Sequence, residues 1–163
     1  MAKTAVNRVE DAATPPGVSD ETLRGLAGYS IKRASNVVQA DLARTLQPFG
    51  LRMITFTALI LIVDNPDLSQ TQLAGALAVE RSNLVVIVDD LEKAGLIIRN
   101  PSATDRRSHA LRATPDGEDL CVKAMAAARA HEKKLLSGLD PDRLAALIEA
   151  MRTIEFATAG DEQ

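Results

Sequence analysis

The stretch SQTQLAGALAVERSNLVVIVDDLEKAGLIIRN, residues 69–100, decides the fold. Ser69-Gln70-Thr71-Gln72 is a capping box: the N-cap hydroxyl accepts from the N3 amide, and the N3 glutamine returns a bond to the N-cap backbone. It opens a short helix to about residue 76. After a tight turn, apolar residues recur at helical spacing over 81–93, up to Ala94-Gly95, where glycine suits a left-handed C-terminal cap. Leu73, Leu77, Leu84, Val88 and Leu91 are the packing residues of the two helices. Two short helices joined in this way predict a helix-turn-helix.

Downstream, Leu96-Ile97-Ile98-Arg99 reads as a strand, residues 100–105 as a turn and 107–113 as a returning strand. The hairpin is a wing beside the helix pair, with a charged tip. Thr114-Pro115 supplies an N-cap and a proline at N1 for a helix to about residue 136. Asp140-Pro141 repeats the device for a last helix to about 156 or 157. Upstream, apolar periodicity predicts a helix over 52–63, closed by Asp64-Asn65-Pro66. Before it, Leu23, Leu26, Ala27, Ile31, Ala34, Val38, Leu42 and Leu46 predict one helix of nearly thirty residues. Ser19 caps its start and Pro48-Phe49-Gly50 stops it.

The expected fold is mainly α with a small β-hairpin wing: a winged helix-turn-helix lobe plus long N- and C-terminal dimerisation helices. Its parts are a flexible N-terminal tail (1–18), a helical dimerisation region (19–48 and 115–158), the winged lobe (49–114) and a C-terminal tail (159–163). Dimerisation is expected because Leu23, Leu26, Leu135, Leu136, Leu139, Leu144, Leu147, Ile148 and Met151 make apolar stripes too large for one small lobe.

Composition narrows the function. The chain has 163 residues, 46% of them hydrophobic, and a formal charge of −3. That balance excludes a wholesale polycation that coats DNA. With 2% aromatic residues, a surface of stacked aromatics for single strands is also excluded. One cysteine, Cys121, rules out an internal disulfide and a cysteine-rich zinc site, and it reads as a small buried residue. His109 and His131 lack metal-ligand spacing. No phosphate loop or nucleophile–base signature is present, so neither enzymatic chemistry nor a cofactor is expected. No stretch nears the roughly 20 apolar residues of a membrane span. The first 19 residues do not form a signal peptide, so a cytoplasmic location with no membrane partner is expected.

Leu91-Glu92-Lys93-Ala94-Gly95-Leu96-Ile97, then Asp105-Arg106-Arg107-Ser108, then Leu111-x-x-Thr114-x-x-Gly117, resemble the MarR-type transcriptional regulators. The resemblance covers residues 20–154. It implies a homodimeric winged helix-turn-helix protein on a palindromic double-stranded DNA operator, more a repressor than an activator, released by a small-molecule effector. Twofold symmetry would set two recognition helices one DNA turn, ~34 Å, apart.

A recognition helix reads base edges in the major groove with its N-terminal residues, here Arg81, Ser82 and Asn83. Arginine pairs bidentately with guanine and asparagine with adenine. The plainer role of Ser82 and Asn83 is to finish the helix N-terminus. Val85 and Val86 stand where the family often has Thr and Arg. Val86 suits a thymine methyl, and one of the two valines equally suits the core. Asp89 and Asp90 add negative charge. Over residues 99–112 four arginines (Arg99, Arg106, Arg107, Arg112) face one acid, Asp105, a local +3. The resemblance implies that one wing arginine enters the minor groove, whose narrow A·T-rich form attracts it. Arg106 is the choice for insertion and Arg107 for a structural or phosphate role, and the two assignments can be exchanged. Ser69, Gln70, Thr71 and Gln72 would meet phosphate at a helix N-terminus.

For the effector, the resemblance implies a small aromatic acid or an acyl-CoA thioester, with Tyr29, Arg33, Met53, Phe56 and His109 as contacts. Met53 and Phe56 also suit the ordinary core, and Arg33 is either a carboxylate clamp or a solvated charge. The reading from a different class is a winged-helix module for protein–protein interaction with little DNA affinity of its own.

Overall fold

The computed structural model describes residues 17–101 and 109–157. The chain divides into two units, residues 1–38 and 39–163, each described by itself.

In the first unit α1 (Glu21–Arg24) is followed by α2 (Ala27–Leu46), which runs on into the second. The single long helix expected over 19–46 is therefore broken. Leu26 N donates to Leu23 O (2.9 Å), an i→i+3 bond that tightens the end of α1, and Ser30 N donates to Leu26 O (3.2 Å) as α2 begins. Gly25 and Gly28 flank the break, each costing a helix about 1 kcal/mol relative to alanine. Ser19 Oγ accepts from Glu21 N (3.4 Å) at this helix start, but from one residue before the N-cap position. Asp20 holds that place, without a side-chain cap bond, because its carboxylate is engaged by Arg24 (2.8 Å) and Tyr29 (2.7 Å).

In the second unit α2 ends in a short 3-10 turn over Gln47–Phe49, closed by Gly50 in the left-handed conformation. Then come α3 (Met53–Asp64), β1 (Leu68–Ser69), α4 (Gln70–Leu77), α5 (Arg81–Lys93), β2 (Ile97–Pro101), β3 (His109–Ala113), α6 (Pro115–Leu135) and α7 (Pro141–Ala157). The predicted caps are present. Gln72 N donates to Ser69 Oγ (3.2 Å) and Ser69 N to Gln72 Oε1 (3.0 Å), closing the box. Gly117 N donates to Thr114 Oγ1 (3.0 Å), and Arg143 N to Asp140 Oδ1 (2.9 Å). Gly95 takes φ +72° after α5, as a left-handed cap requires.

The strands form an antiparallel sheet in the order β1-β3-β2. β2 and β3 are the expected hairpin, with Ile97 opposite Ala113 and Pro101 opposite His109. β1 was not expected: its two residues, Leu68 and Ser69, pair with Leu111 and Ala110.

α3 is the centre of this unit, packed against α4, α5, α6 and β3. Phe56, Ala58, Leu59 and Ile62 of α3 join Leu73, Leu84, Val88, Leu91, Ile97 and Leu111 in one buried cluster. Leu77 is partly buried against it. α6 contributes Cys121 and Ala124. Burial, with a smaller effect of Asp64, pushes the Cys121 thiol pKa upward, leaving it a poor nucleophile. α7 buries no residue, and Leu147, Ile148, Met151, Ile154 and Phe156 are exposed along it. In the first unit Leu23 and Leu26 are exposed as well. Among the described residues no single helix is long and apolar enough to cross a membrane.

Candidate nucleic-acid interface

α5 is sorted sharply by side. Leu84, Ile87, Val88 and Leu91 face the core, while Arg81, Ser82, Asn83, Val85 and Val86 are exposed. The i, i+3, i+4, i+7 spacing of the buried set forces the others outward. Neither Val85 nor Val86 is core, so the alternative that one of them packs inside does not hold. Glu80 is the N-cap of α5 without a side-chain cap bond. Neither Ser82 nor Asn83 therefore fills the N-cap position.

Ser69, Gln70 and Thr71 sit at the start of α4. Ser69 Oγ is engaged twice, accepting from Gln72 N and donating to Gln72 Oε1 (2.8 Å). The turn between α4 and α5 is held by Ala78 at φ +50°, whose N–H donates to Ala74 and Gly75 carbonyls.

Asp89, Asp90 and Asp67 near this surface are paired, whereas Glu80 is exposed at the head of α5. Asp89 is bonded by Arg99, whose Nη1 also lies 3.4 Å from Glu92. Asp90 is bonded by Arg52 at 2.6 Å. Asp67, at φ +69°, accepts a two-pronged bond from Arg112, Nε to Oδ1 at 2.6 Å and Nη2 to Oδ2 at 2.5 Å. That fork depresses the Asp67 pKa and raises that of Arg112. Arg99 and Arg112, counted in the sequence toward a local +3, are thus each held by acids from outside the hairpin. Arg99 lies against α5, tying the base of the wing to the helix. Arg106 and Arg107 lie outside the described residues.

The base of the wing is fastened to α6 as well. Thr114 N donates to Leu96 O (3.0 Å), and Thr114 Oγ1 donates to Gly95 O (2.7 Å). Gly117 is buried so close to the residue before β2 that a Cβ there would stand 2.0 Å from Leu96 O. The Thr114-x-x-Gly117 spacing thus belongs to the joint between the wing and α6.

The expected effector contacts fall in both units. Tyr29 and Arg33 are half-buried in the first. Tyr29 Oη donates to Asp20 Oδ2 (2.7 Å), Arg33 lies 3.3 Å from the same carboxylate, and its guanidinium sits 5.7 Å from the Tyr29 ring centroid. The carboxylate that Arg33 meets is thus one from this chain. The Tyr29 hydroxyl, followed by Arg24, holds the Asp20 pKa down to about 2. In the second unit Phe56 belongs to the buried cluster. Met53 borders a cavity of about 430 Å³ with Arg44, Gln47 and Arg52. His109 opens β3. A pairing the sequence did not suggest joins α6 to α2: His131 Nδ1 lies 3.4 Å from Asp41 Oδ2.

The sequence model of the MarR family matches residues 49–108, which hold the helix pair and the first strand of the wing. The chain is 34% identical to the transcriptional repressor CouR, solved on a 23-mer DNA duplex. That likeness covers 85% of this chain and 98% of that one, with a TM-score of 0.80. The chain belongs to the MarR family. A further MarR-like structure, CouR bound to p-coumaroyl-CoA, is 32% identical with a TM-score of 0.76, over 85% of this chain and 97% of that one. A putative transcriptional regulatory protein for the hcr operon of Thauera aromatica is 38% identical over 97 residues, 59% of this chain. The match spans 58% of that relative's length. The MarR-type regulator described here thus combines a family wing motif with an α5 whose exposed centre is apolar.

Proposed function

We propose that this MarR-type transcriptional regulator binds double-stranded DNA sequence-specifically as a homodimeric repressor and leaves a palindromic operator when a small-molecule effector binds. One observation carries the reading: α5 buries one side completely and exposes Arg81, Ser82, Asn83 and Val86 on the other. A helix fixed in this way beside a wing can lie in a major groove with its N-terminal residues at base edges. The likeness to CouR on a DNA duplex supports the same conclusion.

In this proposal residues 49–114 are the DNA-binding lobe, and 19–48 with 115–158 form the dimer. Arg81, Ser82, Asn83 and Val86 meet bases, and Ser69, Gln70 and Thr71 meet phosphate at the start of α4. Arg106 enters the minor groove with Arg107 beside it, while Arg99 acts mainly by holding the wing to α5. The exposed apolar faces of α7 and of Leu23 and Leu26 suit association with a second copy, since soluble chains seldom leave so much apolar surface bare. The effector is an aromatic acid or an acyl-CoA thioester, the latter supported by the likeness to CouR with p-coumaroyl-CoA. Tyr29, Arg33, Met53, Phe56 and His109 are its proposed contacts. The chain catalyses no reaction in this role and works in the cytoplasm.

Selection of genomic fragments by the purified protein tests the reading. Enrichment of a palindromic site, with affinity falling steeply as salt rises, is the expected outcome. A protein that never prefers one fragment over bulk competitor refutes it and favours the protein-interaction module.

A further inference from the structure

On the outer side of α5 two rows run at four-residue spacing: Arg81, Val85 and the half-buried Asp89, and Ser82, Val86 and Asp90. Each row begins with a hydrogen-bonding group and passes through a valine one turn further along. Each ends in an acid that already has a partner, Arg99 for Asp89 and Arg52 for Asp90. Val85 is 44% exposed and Val86 56% exposed, on a helix whose core residues are all but inaccessible. A β-branched residue is a poor choice for a solvated helix surface, and two side by side make an apolar step in the middle of a polar face.

Duplex DNA offers one apolar feature in its major groove, the C5-methyl group of thymine. The exposed N-terminal residues of α5 suit base edges and phosphates. With their acids neutralised by Arg99 and Arg52, the rows do not set free carboxylates against the DNA backbone. We infer that Val85 and Val86 are specificity-determining residues that read pyrimidine C5-methyl groups in each operator half-site, so that the regulator discriminates thymine from cytosine by apolar contact. Thymine supplies this methyl in unmodified DNA, and 5-methylcytosine supplies it in methylated DNA. The inference rests on the DNA-binding function proposed above and deepens it.

The test uses the full chain and a duplex recovered from a random-sequence pool. Each thymine of one half-site, and then its symmetry mate, is replaced by deoxyuridine. That exchange removes only the methyl and leaves every hydrogen-bonding edge unchanged. Burying one methyl corresponds to about four-fold in affinity, so symmetric loss at one position should weaken wild-type binding on the order of fifteen-fold. In a Val85→Ala/Val86→Ala variant, whose folding is checked by circular dichroism, the same replacement should change affinity less than two-fold. In a parallel scan, methylating a cytosine at a contacted position should tighten wild-type binding.

If the uracil duplex binds wild type as tightly as the thymine duplex at every position, the inference is overturned while the DNA-binding function stands. If the pool yields no preferred duplex at all, both fall together. The uracil scan needs only wild-type protein, so a misfolded variant would not shield the inference.

Discussion

Gly117→Ala should destabilise the second unit by about 2–4 kcal/mol. A Cβ built at Gly117 stands 2.0 Å from Leu96 O and 2.9 Å from Leu96 C. Both are backbone atoms, which no rotamer change can move. The helix start and the residue before β2 must part by about 1 Å to reach even a tight contact. That movement strains three bonds in the joint: Thr114 N to Leu96 O, Thr114 Oγ1 to Gly95 O and Gly117 N to Thr114 Oγ1. Each contributes roughly 1 kcal/mol net, and overpacking adds about 1–3 kcal/mol. Against this, alanine gains at most about 1 kcal/mol over glycine in a helix. Gly75→Ala is the matched control. Gly75 lies inside α4, and a Cβ there meets nothing within 4 Å, so the same exchange should stabilise by up to about 1 kcal/mol. Urea unfolding of both variants at one fixed protein concentration gives the comparison, with equal slopes required before the midpoints are read as stability. A Gly117→Ala protein as stable as wild type, or shifted in the same direction as Gly75→Ala, would refute the close backbone approach.

Arg106→Ala and Arg107→Ala should each weaken operator binding without unfolding the protein, measured by fluorescence anisotropy on the selected duplex. Wild-type affinity in both would remove the wing from the interface. Ser69→Ala should cost about 1 kcal/mol by opening the capping box, read from the urea midpoint, and an unchanged midpoint would show the cap to be dispensable. For Asp20 the folded pKa of about 2 lies below the ordinary 3.8 of a free aspartate. The contribution of its bonds to stability is therefore present above that value and is lost as pH falls from about 4 toward 2. Tyr29 is the sole tyrosine in a chain without tryptophan, so its fluorescence should change over that window, whereas a transition centred near 3.8 would mean that the Tyr29 and Arg24 bonds do not hold. Cys121, buried and with its thiol pKa raised, should resist alkylation at neutral pH until urea unfolds the chain. Rapid labelling in native buffer would contradict that packing.

The parts legible in the sequence are those whose cause is local. Ser69 with Gln72, Thr114 with Pro115, Asp140 with Pro141 and Gly95 after Lys93 announce helix ends within four residues of chain, and all are where the sequence places them. The break at Gly25 and Leu26 escaped because the apolar period continues through it. Periodicity reports which face is apolar, not whether the backbone stays continuous. β1 escaped for the opposite reason. Two residues carry no alternation, and Leu68 and Ser69 become a strand only because β3 stands beside them, more than forty residues later in the chain.

The charge pattern shows how far a residue count can mislead. Four arginines against one acid make the hairpin look strongly basic, and Asp89 and Asp90 make α5 look hostile to DNA. Both impressions weaken, because Arg99, Arg112, Asp89 and Asp90 each have a partner. Arg99 reaches back ten residues to Asp89, Arg112 reaches back 45 to Asp67, and Arg52 reaches forward 38 to Asp90. None of these pairs is visible as spacing, since each depends on where the sheet and α3 bring the chain. As exposed or half-exposed pairs they add little stability, about 0–1 kcal/mol each. Their consequence is electrostatic. A phosphate approaching α5 would otherwise meet two carboxylates within 10 Å or so, close to the screening length at physiological salt. Pairing reduces each to a local dipole and leaves Arg81, exposed at the start of α5, as a charge that can meet phosphate. Breaking one pair from its basic side, as Arg52→Ala would with Asp90, should therefore weaken DNA binding through a residue that touches no DNA. A second substitution separates this from a lost contact. Adding Asp90→Asn to Arg52→Ala removes the unmasked carboxylate and should restore affinity, whereas a lost phosphate contact would stay lost.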